Sequence, residues 1–266
     1  MDVESLLVAY CREQSGALWL RIARQIKTGG KRLRPRLCLG AYEVYGGTDE
    51  AIAYVAAAWE MMHIGLLIHD DIMDGDYLRH GKPNIAGEVY LTTGNSNLAR
   101  NIAILAGDAC LAAVYDFLRM SGFNHLGPLF QSIYQAVIEG QRMDVIGGFD
   151  PLEVARLKTA SYTYVGPLVS GAAAAGASQE QIRKLRKAGE YLGIAYQLQN
   201  DVDDIEQDQR AGKQTAVIQA IDDVGSKAEA ISMIRDLIAV YKHLAEREGF
   251  EPSMELPPYR LSKAAH

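Results

Sequence analysis

Asp70, Asp71 and Asp74 lie in the stretch IHDDIMD, residues 68–74, at the C-terminal end of an apolar run. On a helix, Asp70 and Asp74 share one face about 6 Å apart along the axis, with Asp71 beside them. Like charges at that spacing repel, and the negative end of the helix dipole disfavours anions further. A solvated acidic helix end is the plain reading. A divalent cation is the other, because it removes the electrostatic objection. An all-oxygen donor set with open positions suits Mg²⁺, which keeps water and bridges to phosphates.

A second cluster shifts the balance toward the cation. NDVDDIEQD, residues 200–208, ends another long run whose face carries Leu192, Ile194 and Leu198. Asp201 and Asp204 are three apart, Asp204 and Asp208 four apart, and Asn200, Asp204 and Asp208 form a row one turn apart. Two acidic patches that each end an apolar helix can face one another across a bundle and hold several Mg²⁺ between them. The trapped guest would be a polyphosphate.

The third feature is GGKRLRPR, residues 29–36, where Lys31, Arg32, Arg34 and Arg36 crowd an otherwise acidic protein of net charge −6. Paired glycines let backbone N–H groups approach an anion, and a helix start adds a favourable dipole. Arginine forks grip phosphate at two points. A basic helix start is the bland alternative, and the dipole disfavours it. Arg79, His80 and Lys82 follow the first acidic cluster and can close over the same ligands.

Helices must carry these groups. Apolar residues recur at three- and four-residue steps over 2–26, and Gly29-Gly30 stops that element. The next helix runs over about 34–45, with Pro35 near its start. Thr48 is the expected cap of a third, reaching Asp74. Residues 75–95, rich in Gly, Pro and Asn, read as a loop with short pieces. Helices follow over about 96–120, 124–146, 151–176, 178–208 and 225–248, with Ser178 and Gln181 as a capping box. Pro167 inside one of them frees the carbonyl of Thr163 and makes a kink. No stretch reads as a strand. The fold expected is all-α, a single-domain helical bundle over residues 1–266 around a central cavity.

Composition narrows the setting. The 266 residues are 48% hydrophobic and 23% charged, ordinary for a globular protein. The acidic balance argues against nucleic acid. Cys11, Cys38 and Cys110 show no metal or redox spacing and read as buried thiols. The N-terminus lacks a basic n-region, so no signal peptide is expected. Val55–Ile68 and Val165–Ala177 are apolar but interrupted, short of the roughly 20 clean residues of a spanning helix. A cytoplasmic protein is expected.

Taken together, these motifs resemble the trans-isoprenyl diphosphate synthase, or polyprenyl synthetase, family. The resemblance is carried by GGKRLRP, EMMHIGLLIHDDIMD, LRHGKPN, GQRMD (140–144), LKTASYTYVGP (157–167) and YQLQNDVDD (196–204), in the family's order across residues 29–213. It implies the isoprenoid synthase type I fold and an Mg²⁺-dependent prenyltransferase joining an allylic prenyl diphosphate to isopentenyl diphosphate. Asp70, Asp71 and Asp74 would hold Mg²⁺ on the allylic diphosphate, three ions in all, with Asn200, Asp201, Asp204 and Asp208 opposite. Gly30, Lys31, Arg34 and His63 would bind the metal-free diphosphate of isopentenyl diphosphate, with His80 beside them. Arg79, Lys158 and Lys213 would contact the allylic diphosphate. Thr159 and Gln197 would line the place where the allylic cation forms. A homodimer is implied, with a heteromer as the other arrangement.

The chain departs from the family pattern in four places. Arg79-His80 replaces two arginines, which predicts weaker, pH-dependent binding of isopentenyl diphosphate. Asn200-Asp201 replaces two aspartates. A Gly-Lys element after the second acidic motif is reduced to Gly212-Lys213, and the chain is short. The Asn200, Asp204, Asp208 row also resembles the metal triad of class I terpene cyclases, so a cyclase-like enzyme is the second reading. A non-catalytic subunit of a heteromeric synthase is the third. The Lys31, Arg34 and His63 set favours elongation, since a cyclase has no use for it. Before Asp70 the helix offers Leu66, Gly65 and Met62; none is aromatic, and Gly65 is read as leaving space, so a product of fifteen to twenty-five carbons is expected.

Overall fold

The structure, a computed structural model, describes residues 2–79 and 81–249. Helix α1 spans Val3–Glu13, capped by the Asp2 carboxylate, which accepts from Ser5 N–H at 2.9 Å. The single helix expected over 2–26 breaks at Gly16, whose φ of +110° favours glycine, and α2 resumes at Ala17–Lys27. Helix α3 is Leu33–Val44 and α4 is Ile52–Asp74. Thr48 does not cap α4. The Asp49 carboxylate accepts from Ala51 N–H at 2.8 Å and Tyr42 Oη accepts from Asp49 N–H at 2.9 Å, so a turn precedes the helix. Gly75, at φ +73°, ends α4.

The short pieces expected within residues 75–95 are two strands and a helix. Leu78–Arg79 (β1) and Lys82–Pro83 (β2) pair antiparallel, with Arg79 opposite Lys82. Helix α5, Ile85–Thr93, starts where Asn84 Oδ1 accepts from Gly87 N–H and buries Ile85, Ala86 and Val89. Its nine residues are too few for their periodicity to stand out among flanking turn formers. Helix α6 is Ser96–Ser121 and α7 is Gly127–Ile146.

The element expected over 151–176 is three pieces: α8 (Pro151–Val154), a π-helical segment (Ala155–Val165) and α9 (Gly166–Ala174). The irregularity therefore precedes Pro167 and is spread over eleven residues rather than concentrated in a proline kink. Helix α10, Gln179–Asp203, has the expected Ser178–Gln181 capping box. Short helices α11 (Ile205–Ala211) and α12 (Ala216–Val224) precede α13 (Lys227–Arg247).

Helices α4 and α6 make the largest pairing, and the π segment lies between α7 and α10. Trp59 of α4 is fully buried, stacked on Phe130 at 3.9 Å, and its Nε1 donates to Ser170 Oγ at 2.8 Å. Removing such a side chain costs about 3–5 kcal/mol. Helices α4 and α6 are each long and apolar enough to cross a membrane; 72% of the most apolar stretch of α4, and 44% of that of α6, is buried within the protein. All three cysteines are free and buried, as expected, and burial pushes the Cys11 and Cys38 thiols up to about 12.

Candidate active site

Two close backbone approaches build the site. A Cβ on Gly140 of α7 would lie 2.4 Å from Lys158 N, and one on Gly193 of α10 would lie 2.3 Å from Ala160 Cα. Only glycine allows either contact. The first brings Gln141 and Asp144 to Lys158. The second brings Gln197 to Thr159, whose Oγ1 donates to Gln197 Oε1 at 2.7 Å. Gln197 Nε2 in turn donates to Asp201 Oδ1 at 2.7 Å.

The two acidic helix ends meet across this frame. Lys158 Nζ lies 3.3 Å from Asp70 Oδ1 and 2.6 Å from Asp144 Oδ2. Gln141 Nε2 donates to Asp70 Oδ1 at 3.0 Å. From the far side, Lys213 Nζ reaches Asp74 Oδ2 at 3.3 Å. Burial raises the Asp208 pKa and Lys213 opposes the shift, with the charges of Asp204, Asp144 and Asp74 adding to it. Carboxylates from both motifs therefore share one field.

That field is short of positive charge. Burial, reinforced by Asp208 and Asp144 and opposed by the Gln197 hydrogen bond, raises Asp201 to about 6. Burial and the Asp203 charge raise Asp204, against Lys213. The donors are oxygens, and the shifts mark negative charge that a cation would relieve, so the residues fit Mg²⁺. Among the described residues no three acidic, imidazole or thiol groups are drawn together tightly enough to hold a metal unaided. Lysine ammoniums lie between the carboxylates. The set thus fits ions that arrive with an anionic ligand.

Asp71 faces elsewhere. It is 3% exposed and receives the Arg79 guanidinium, Nε to Oδ1 at 3.0 Å and Nη2 to the same oxygen. Asp201 and Asp208 are buried but Asp204 is exposed. The row Asn200, Asp204, Asp208 is thus broken in its middle, where α10 ends and Asp204 serves as its C-cap.

A separate cleft of about 300 Å³ opens beside the pair, lined by Gly30, Lys31, Arg34, His63 and Arg79 among others. Arg34 is buried, donates from Nη2 to Thr163 Oγ1 at 2.7 Å and stacks 4.2 Å over the Tyr162 ring. Thr163 thus contributes its hydroxyl here. His63 Nδ1 lies 3.4 Å from Tyr162 Oη. Burial, then the charges of Arg34, Arg79 and Arg32, holds the His63 pKa well below its usual value, so the ring is neutral. Arg79 stands between the two sites, lining this cleft while gripping Asp71. His80 falls outside the described residues.

An apolar cavity of about 140 Å³ lies two turns below Asp70, walled by Met62, Leu111, Tyr115, Phe130 and Tyr134. The space comes from these side chains and not from Gly65. A Cβ there would be 3.1 Å from both Gly107 O and Leu111 Cγ, so Gly65 is where α4 and α6 touch.

Sequence reasoning missed Gln141 and Asp144 as site residues, although GQRMD is a landmark of the resemblance. It also missed Arg32, Glu60 and Tyr162. The signal for Asp144 was an isolated acid one turn beyond a Gly-Gln pair.

Comparison with known proteins agrees with this geometry. A family model described as Polyprenyl synthetase matches residues 18–221. Geranylgeranyl pyrophosphate synthase, chloroplastic, of Catharanthus roseus is 30% identical over 254 residues, covering 89% of this chain and 67% of that protein. The chain spans between 51% and 67% of the length of the first curated relatives it matches. Among solved structures, geranylgeranyl pyrophosphate synthase from Corynebacterium glutamicum, complexed with isoprenyl diphosphate and magnesium, superposes with a TM-score of 0.76 at 26% identity, covering 93% and 85% of the two chains. The geranylgeranyl pyrophosphate synthetase of the archaeon Geoglobus acetivorans gives 0.78 at 25% identity, covering 92% and 88%. The chain belongs to the polyprenyl synthetase family.

Proposed function

We propose that this chain is a trans-prenyltransferase that condenses an allylic prenyl diphosphate with isopentenyl diphosphate, releasing diphosphate and lengthening the chain by five carbons. The observation that carries the reading is a carboxylate-rich cluster next to a separate cleft lined by cationic side chains. One is rich in carboxylates and needs metal to hold a diphosphate. The other, built from Lys31, Arg34 and a neutral His63, needs none. A reaction with two diphosphate substrates, only one of which ionises, has use for both.

Asp70, Asp74, Asp201, Asp204 and Asp208, with Asn200 and Asp71 at the margins, would hold three Mg²⁺ together with the allylic diphosphate. Bound there, Mg²⁺ supplies charge stabilisation to the departing diphosphate. Lys158 and Lys213 would donate to its oxygens, and Arg79 would add a third cationic donor. Gly30, Lys31, Arg34, His63 and His80 bind and orient the isopentenyl diphosphate. Thr159 and Gln197 present oxygen dipoles toward the allylic carbon without a strong nucleophile, while the surrounding apolar wall excludes water. The released diphosphate is the acceptor of the final proton.

A product of fifteen to twenty-five carbons is proposed. The cavity at Met62 and the likeness to geranylgeranyl pyrophosphate synthases favour twenty. The whole chain is read as a single domain acting in the cytoplasm, as a homodimer or a heteromer. Exposed Leu98, Ile104, Leu105 and Tyr115 along α6 support a subunit contact there. Exchange of Asp70 or Asp74 for Ala tests the assignment: turnover should fall by about 10³-fold or more at unchanged fold. Full turnover in both variants contradicts it.

A further inference from the structure

Arg32 is the one non-glycine residue described in the left-handed region, at φ +47°. It sits between Lys31 and Arg34, yet its guanidinium points away from solvent. Nη1 donates to Glu60 Oε1 at 2.7 Å, and Nη2 donates to Glu4 Oε2 at 2.9 Å and to the Ile26 carbonyl at 2.6 Å. Glu60 is 2% exposed, and its other oxygen has no hydrogen-bond partner among the described residues. The fork folds under the loop: a Cβ on Gly30 would stand 3.2 Å from Arg32 Nη1.

We propose that Arg32 and Glu60 are positioning residues that clamp the loop over residues 29–32 to α4 and so set the metal-free diphosphate cleft. The inference rests on the reading of that cleft as the isopentenyl diphosphate site. Glu60 lies one turn before His63 on α4, so the clamp fixes the spacing between the Gly30–Lys31 backbone and the His63 ring. A left-handed arginine persists only where its surroundings hold it. The buried Glu60 carboxylate, whose one side-chain partner among the described residues is Arg32, does so strongly. Arg32 and Glu60 both line the cleft, and their pairing offsets the arginine's charge there.

The test is binding of isopentenyl diphosphate to the full chain in EDTA, by calorimetry, with steady-state kinetics in Mg²⁺ as the second readout. In Glu60→Gln and Arg32→Lys, binding in EDTA should weaken about tenfold. The KM for isopentenyl diphosphate should rise in step, while the KM for the allylic diphosphate and kcat at saturation stay within about twofold. A general loss of structure would move all of these together and would overturn the proposal. Unchanged binding in the folded variants would overturn it too. If both variants fail to fold, Glu4→Gln carries the test. Glu4 is half-exposed, and its loss loosens the same fork, so weaker binding in EDTA is expected and unchanged binding contradicts the clamp. Wild-type protein that binds in EDTA but does not elongate would sink the activity and leave the clamp standing. Wild-type protein that does not bind removes the cleft's role and the clamp with it.

Discussion

Lys213, five residues beyond the second acidic cluster, reaches Asp74 at the end of the first, its Nζ 3.3 Å from Oδ2. Asp74 ends α4 and Lys213 follows the C-cap of α11, so the contact joins the ends of two helices. Burial and three neighbouring acids together raise the Asp208 pKa, and Lys213 is the cation that opposes them. The lysine thus bridges the end of α4 and the segment that follows α11.

Lys213→Ala is expected to lower kcat/KM for the allylic diphosphate by about 10²-fold, the usual loss for one donor to developing charge. The KM for isopentenyl diphosphate should change little. Steady-state kinetics with each substrate varied in turn checks this. A loss confined to isopentenyl diphosphate would place Lys213 in the wrong site.

Asp201 gives a prediction in which stability and activity part. Its folded pKa of about 6 lies above the ordinary carboxylate value of 3.8. Between roughly pH 4 and 6 the folded chain holds a proton that the unfolded chain has released, so this group's contribution falls as pH rises. Above that window the cost is constant, at most about 3 kcal/mol. Asp201→Asn should therefore raise the melting temperature in EDTA at pH 8, with little effect at pH 4, while turnover collapses. Melting curves at the two pH values decide it; a destabilised variant at pH 8 would mean that the buried charge is compensated.

Thr163→Val removes the acceptor of Arg34 while keeping shape. A buried charged donor left short of a partner costs about 1–3 kcal/mol. Denaturant unfolding should show that loss, and the KM for isopentenyl diphosphate should rise, because Arg34 is then free to leave the face of Tyr162.

The cavity two turns below Asp70 bears on product length. Met62→Trp should fill it and shift products toward fewer carbons. Phe130→Ala should deepen it and lengthen them, at about 3–5 kcal/mol of stability. Chromatography of the dephosphorylated products measures both. Unchanged lengths in both variants would show that the tail runs elsewhere.

Much of this was legible in the residues. The four-residue spacing of Asp70 and Asp74 and the Asp201 cluster announced two acidic helix ends, and Gly29-Gly30 with Lys31 and Arg34 announced residues that line one cleft. The helical periodicity carried the fold. What was not legible depends on non-local packing. Asp71 and Asp70 are adjacent in sequence, yet one is sealed by Arg79 and the other faces Lys158. Gly65 looked like room and is a helix contact, because the side chains of α6 fill the space. The π segment widens a helix by a backbone choice that no side-chain period records, and α5 is too short to announce itself among turn residues.

The mass of the product formed from isopentenyl diphosphate, Mg²⁺ and allylic diphosphates of ten, fifteen and twenty carbons tests the central claim most directly. Linear diphosphates longer than the allylic substrate by five-carbon steps, absent when EDTA replaces Mg²⁺, are predicted. Cyclic hydrocarbons or prenyl alcohols alone, with isopentenyl diphosphate left unconsumed, would contradict the account.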